Sequence, residues 1–210
     1  NEKGEFSFLK LSDSTITFSD TLQLNENEKL ISASKGSIKN EVVSFGTNEG
    51  RIFVVKVKML PQFIGSERVI NSSISLEDIL ELNNETDSVK TKIEFLEFGQ
   101  NEDGLRVWSW IDNNKELKLK IYEPEDEEYF DYTLTKNINK NAVTSISVSE
   151  DCENLIIGDV NGEIFWFSLS DIEDVALKDN WRAKASAITA LSFLIGDNSL
   201  VIGSYDGQVD

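Results

Sequence analysis

Carboxylates are the only side chains in this chain that could carry acid–base chemistry in quantity, because it holds 38 Asp and Glu and no histidine. Without imidazole, Ser-His and Cys-His nucleophile pairs cannot form, and neither can His-ligated metal sites. Two facing carboxylates would suffice for glycoside hydrolysis. With so many acids, close pairs arise by chance, and no spacing singles one out. No Gly-rich phosphate loop with a following lysine occurs; the stretch from Gly46 to Gly50 reads as a hairpin turn and lacks that lysine. The densest acidic run is Glu123-Pro124-Glu125-Asp126-Glu127-Glu128. It has no glycine for the sharp bend of a calcium loop, so it reads as solvated, with docking of a basic partner as the alternative. The sequence therefore names no catalytic residue, no metal ligand and no cofactor, and a non-enzymatic protein is expected.

The remaining chemistry is that of recognition. Twenty basic against 38 acidic residues leave a net charge of −18. Such a surface repels phosphate backbones and anionic membrane faces, which excludes nucleic acid as the expected partner. Charge of this size keeps a large sheet surface soluble, and it also suits a basic protein partner. Of the four tryptophans, Trp108, Trp110 and Trp166 stand in strand-like runs and are expected in the core. Trp181 follows Lys178-Asp179-Asn180 and precedes Arg182, so Trp181 and Arg182 are the expected exposed anchor of an interface. Cys152 is the single cysteine, which allows no internal disulfide and no Cys-based zinc site. No apolar run reaches the roughly 18 residues of a membrane span, so no membrane insertion is expected within this segment. The chain opens Asn1-Glu2-Lys3-Gly4 without signal-peptide character or an initiator methionine, as expected of a segment of a longer protein.

The elements that must position these residues are short strands. Ala142 to Ile164 and Ala187 to Val209 superpose without a gap at a spacing of 45 residues. Each reads as a strand, a polar loop, a second strand ending in glycine (Gly158, Gly203), and a turn ending in a second glycine (Gly162, Gly207). The same pattern recurs at Glu41 to Val57, with Gly46 and Gly50 in the two glycine places. The turn glycine supplies the positive φ of a tight hairpin; the earlier one ends a buried strand where a side chain would crowd a neighbour. A third, partial copy is read at Ile93 to Trp110, with Gly104 as its turn glycine. Leu117, Leu119 and Ile121 then alternate with Lys118, Lys120 and Tyr122, as in a half-buried outer strand. Strands are also expected at Phe6 to Leu11, Thr15 to Phe18, Thr21 to Leu24 and Lys29 to Ser32. Residues 61–89 read as an insertion, with Ser75 capping a short helix through Leu82, and Ser170 to Glu173 as one helical turn.

A repeat of about 45 residues made of short strands predicts a β-propeller. The expected fold is all-β: one propeller segment over residues 1–210 with about four to five four-stranded blades, incomplete at its C-terminal end. Its open sheet edges leave self-association as one possible use.

The blades resemble WD40 repeats, with Asp206-Gly207-Gln208-Val209 and Asp103-Gly104-Leu105-Arg106-Val107-Trp108 similar to that family's turn and return strand. Where its Trp-Asp pair would fall stand Ser109-Trp110, Phe167-Ser168 and Val55-Lys56, and its Gly-His pair cannot exist here. The resemblance therefore implies blades held by packing and strand ladders rather than by that family's hydrogen-bonded network. Ala187 to Val209, above all Leu194 to Leu200, also resembles the extra propeller domain of bacterial phosphate-import ABC-transporter permeases. That likeness implies a non-catalytic, extramembranous module at the cell membrane on the periplasmic side, with transporter subunits as protein partners. A cytoplasmic WD40-type scaffold is the alternative, and a carboxylate-dependent glycan-processing propeller the second.

Overall fold

Alternating apolar and polar residues, rich in Val, Ile and aromatics, favour pleated half-buried strands, and strands are the only regular elements among the described residues. The computed structural model describes residues 2–10, 15–34, 41–65, 67–83, 90–134, 138, 143–194 and 196–210. They form an incomplete WD40-like propeller of antiparallel sheets. The first sheet is β1 (Glu5–Lys10) with β2 (Thr15–Thr21). The second is β3 (Leu30–Ala33), β4 (Val42–Thr47), β5 (Arg51–Ile64) and β6 (Glu67–Glu81). The third is β7 (Phe95–Gln100), β8 (Arg106–Ile111), β9 (Leu117–Glu123) and β10 (Glu128–Thr133). The fourth is β11 (Val143–Val148), β12 (Asn154–Asp159), β13 (Glu163–Ser168) and β14 (Ala176–Arg182). The fifth pairs β15 (Ile188–Phe193) with β16 (Leu200–Ser204). Three sheets thus have the expected four strands, and the first and last have two each. Neighbouring blades adjoin through their first strands, β3 to β7, β7 to β11 and β11 to β15.

The 45-residue copies are the first two strands of the fourth blade with the start of its third, and the fifth-blade hairpin with its following turn. In three blades the first strand slips register opposite the early glycine, pairing Ser32 with Gly46, Ser145 with Gly158 and Ala190 with Gly203. The glycine is required at two of these by the next blade. A Cβ on Gly46 would lie 2.6 Å from Ile93 Cγ2, and one on Gly158 would lie 2.6 Å from Ile188 Cγ2.

The turn after the second strand is built the same way in each complete blade. Thr47 Oγ1 accepts from Glu49 N (3.3 Å) and Arg51 N (3.0 Å). Asp112 Oδ1 accepts from Asn114 N (2.8 Å) and Glu116 N (2.9 Å), and Asp159 Oδ1 from Asn161 N and Glu163 N (both 2.8 Å). The residue that closes this turn has positive φ: Gly50 (79°), Lys115 (60°) and Gly162 (82°).

Several sequence expectations are corrected here. The third copy was read one hairpin too early, because Gly99 and Gly104 flank the β7–β8 turn rather than the β8–β9 turn. The true counterparts in the third blade are Ile111 and Lys115, so the glycine signal is missing where it was sought. Residues 75–82 do not form a helix; Ser75 to Glu81 belong to β6, paired with β5 through Arg51↔Glu81 and Lys56↔Ser75. Partnership with β5 overrides a capping pattern too short to nucleate a helix. Residues 61–81 lie within this lengthened β5–β6 hairpin. Past Val57, β5 has no partner among the described residues but β6, and Phe63 (73 %) and Ile64 (67 %) are exposed near the ribbon's tip. Ser170 to Glu173 form an Asx turn, in which Asp171 Oδ1 accepts from Glu173 N (3.1 Å), and not a helical turn. Leu22 to Leu24 follow β2 as an irregular link, with Leu22 buried. Residues 84–89, Leu11, Ala142 and Ile195, which those expectations also covered, lie outside the described residues.

Blade contacts divide the core. Between the third and fourth blades lie Val107, Ile111, Leu117, Leu119, Ile121, Leu155, Ile157 and Phe167. Between the second and third lie Val42, Ile52, Val54, Leu80, Ile93, Leu96, Phe98, Trp108 and Trp110.

Candidate functional site

In an up-and-down meander, turns alternate between the two rims. The turns after first and third strands share one rim, and those after second strands share the other. The first rim collects the acids. Glu102, Asp103, Glu150, Asp151, Glu153 and Asp197, from the first turns of the third, fourth and fifth blades, line a cleft of about 420 Å³. Asp151 N donates to Asp197 Oδ2 (3.1 Å), and Asn101 Nδ2 reaches Asp151 O (3.5 Å), so the turns are tied together. No aromatic residue lines the cleft, which leaves it without a face for stacking a sugar. Among the described residues no group of three or more His, Cys, Asp or Glu is placed to hold a metal.

The acidic run singled out in the sequence lies on this same rim. Glu123 ends β9, Glu128 begins β10, and Glu125, Asp126, Glu127 and Glu128 are exposed. Trp181 and Arg182 lie elsewhere, at the end of β14, the outermost strand of the fourth blade. Trp181 is the most exposed tryptophan, at 36 %, and Arg182 Nε donates to the Lys184 carbonyl (3.2 Å). No ion pair among the described residues joins Arg182 to the acidic run, so the two expected interface groups are on separate blades. The turn glycines Gly50, Gly162 and Gly207 close turns on the opposite rim, and Gly104 (φ 94°) closes the β7–β8 turn on the acidic rim.

A second candidate was not legible as a site. Arg106, Trp108 and Trp110 alternate along β8 and share the face toward the second blade. Lys118, Lys120 and Tyr122 share that face on β9, opposite Trp110, Trp108 and Arg106 respectively. Trp108 Nε1, Trp110 Nε1 and Arg106 Nε are buried and have no acceptor among the described residues. The cations around them are already paired: Arg106 Nη1 with Asp78 (3.0 Å), Lys118 Nζ with Glu116 (2.6 Å) and Lys120 Nζ with both Asp131 oxygens (2.7 Å). Aromatics run along the same edge, with Tyr122 and Tyr129 rings 4.9 Å apart and Arg106 over Tyr122 at 5.9 Å. Burial and the Asp78 charge push the Tyr129 hydroxyl above its usual range. A cleft of about 330 Å³ opens where this seam meets the rim opposite the acids, lined by Glu81, Leu82, Thr91, Trp110, Lys118 and Asp131 among others. In the sequence, Trp108 and Trp110 read as core, and Lys118 and Lys120 as a solvent face. The only available signal was the exact alternation of Arg, Trp and Trp on β8 with Lys and Lys on β9.

No family model and no curated protein matches this chain. Solved propellers do. The Myceliophteria thermophila Cps50 (Swd1) β-propeller domain aligns over 97 % of this chain and 56 % of its own, with TM-score 0.56 and 9 % identity. Chaetomium thermophilum Raptor aligns over 99 % of this chain and 16 % of its own, with TM-score 0.61 and 11 % identity. The chain spans about half the length of the first and a sixth of the second, and at these identities the likeness is one of fold.

Proposed function

We propose that this domain is a non-catalytic protein-interaction module. The observation that carries the reading is the concentration of acidic turns on one rim, on an architecture whose solved relatives are WD40-type propellers. Clustered like charge of this kind selects basic partners and speeds their encounter more than it adds affinity. Trp181, exposed beside Arg182, is the aromatic anchor we assign to the same use.

At finer detail, the run from Leu194 to Leu200 supports a place in a phosphate ABC-transporter permease, with the domain outside the membrane on the periplasmic side and transporter subunits as partners. The propeller neighbours fit the alternative, a WD40-type scaffold, and say nothing of a transporter. The open reading frame around this segment separates the two. Apolar helices upstream and downstream favour the permease, and further blades on both sides favour the scaffold. No helix among the described residues is long and apolar enough to cross a membrane.

The rim reading is tested by reversing Glu125, Asp126, Glu127 and Glu128 to lysine and cross-linking the protein in cells. Partner capture should fall, with the association rate losing most of its salt dependence. Unchanged capture would move the interface off this rim. Phosphate itself is not the expected ligand, and tight phosphate binding by the isolated domain would overturn that part of the reading.

A further inference from the structure

We infer that the seam between the second and third blades takes an extended, uncharged peptide segment of a partner, whose amide carbonyls accept from Trp110 Nε1. This rests on the protein-interaction reading and names the chemistry of one ligand. The seam holds three buried N–H groups in a row along β8, Arg106 Nε, Trp108 Nε1 and Trp110 Nε1, none with an acceptor among the described residues. A buried donor left unpaired is costly, and native cores rarely keep several together. Trp110 is the member of the row that walls the 330 Å³ cleft, at the small end of ligand pockets. The residue is 5 % exposed and its Nε1 is itself closed off from solvent, so an acceptor reaches the N–H by entering that cleft and shifting part of its wall.

The charges decide what kind of acceptor fits. Lys120 is committed to Asp131, and Lys118 bonds Glu116 and Thr133 (3.0 Å), which uses two of its three protons. Glu81 and Asp112 add two further carboxylates to the lining. An incoming anion would meet cations already neutralised and acids beside them. A neutral carbonyl meets no such repulsion and finds the Trp110 indole and the remaining Lys118 proton on adjacent strands, directly opposite in register. Leu82 and Thr91 supply the apolar and small-polar walls that a main chain prefers.

The test uses the ¹⁵N-labelled chain and its four indole N–H signals. The probes are acetyl-Gly-Gly-N-methylamide and, separately, acetate. The capped dipeptide should move the Trp110 signal downfield along a saturating curve and leave Trp181 in place, while acetate should act more weakly. Trp110→Phe should keep the folded spectrum and weaken dipeptide binding about five- to tenfold. Lys118→Met offers a second variant, with a smaller loss. An unmoved Trp110 signal, a stronger response to acetate, or undiminished binding by Trp110→Phe would each overturn the inference. Failure here leaves capture by the acidic rim intact, and loss of rim capture leaves these signals unchanged, so the two readings fall separately.

Discussion

The two faces of the third blade are chemically opposite. Toward the fourth blade it presents Val107, Ile111, Leu117, Leu119 and Ile121, all buried among aliphatic and aromatic partners. Polar bonds cross that seam at its edges, where the Tyr132 hydroxyl donates to the Ile172 carbonyl and Asn101 Nδ2 reaches the Asp151 carbonyl (3.5 Å). Toward the second blade the same strands present Arg106, Trp108, Trp110, Lys118, Lys120 and Tyr122, with three donors unmatched among the described residues. Period-two alternation makes both faces from the same residues of β8 and β9. One seam is therefore built for stability alone, and the other keeps unused hydrogen-bonding capacity inside the protein.

The largest test of this contrast is Leu119→Ala. Leu119 is fully buried in the aliphatic seam, so truncation should cost about 3 kcal/mol in urea unfolding. Its neighbour in sequence, Lys120, faces the other seam, and Lys120→Ala should cost under about 0.5 kcal/mol. Equal costs would erase the distinction. Gly99→Ala probes the same dry seam by overfilling: its Cβ would lie 2.7 Å from Val148 Cγ1 and 3.1 Å from Cys152 Sγ. A loss of about 2 kcal/mol is expected.

Buried charge elsewhere in the second blade sharpens the comparison, because there it is fully matched. Arg51 Nε lies 2.9 and 3.1 Å from the two oxygens of Glu28, whose side chain is wholly enclosed. Burial pushes the Glu28 carboxyl up, but bonds from Arg51, Asn25 N and Thr47 together hold it below its usual 4.5. A carboxyl lowered in the folded state stabilises above its unfolded value, and that stability is lost as pH falls through the lowered one. Urea midpoints should therefore drop below about pH 4.5 more steeply in the native protein than in Glu28→Gln, which should itself cost about 2 kcal/mol at pH 7. Parallel pH curves would remove the pair from the stability account.

A contrast between two tryptophans is the most diagnostic. Trp166 Nε1 donates to Asn154 Oδ1 at 2.8 Å, whereas Trp108 Nε1 has no acceptor among the described residues. Trp166→Phe should cost about 1 kcal/mol beyond the change in ring area, and Trp108→Phe should not incur that penalty. Should both cost the same, the Trp108 proton has a partner after all.

Much of the propeller was legible because its strands carry local marks. Gly46 and Gly158 announce a close approach by the next blade, and the turn oxygens of Thr47 and Asp159 sit one residue beyond the glycine. The third blade was misread because Lys115 takes positive φ without being glycine and Ile111 stands in the early-glycine place, so the nearest glycines drew the repeat one hairpin forward. The β5–β6 ribbon was misread because Ser75 to Leu82 fits a capping pattern, and only pairing to a distant strand overrules it. The candidate seam was invisible for a different reason. Tryptophan and lysine at alternate positions describe a core face and a solvent face equally well. Which donors lack partners depends on the neighbouring blade, about 30 residues away in sequence.

Cys152 sits in the β11–β12 turn, fully enclosed, its thiol pushed up to about 12 by burial and then by the charges of Asp151 and Asp197. A sulfur that is both inaccessible and protonated is inert to alkylation while the third and fourth blades stay closed. Its modification rate is then a clock for their parting, and the only thiol in the chain makes that clock readable by mass alone. Run under native conditions, it would time the breathing of the aliphatic seam without any engineered label.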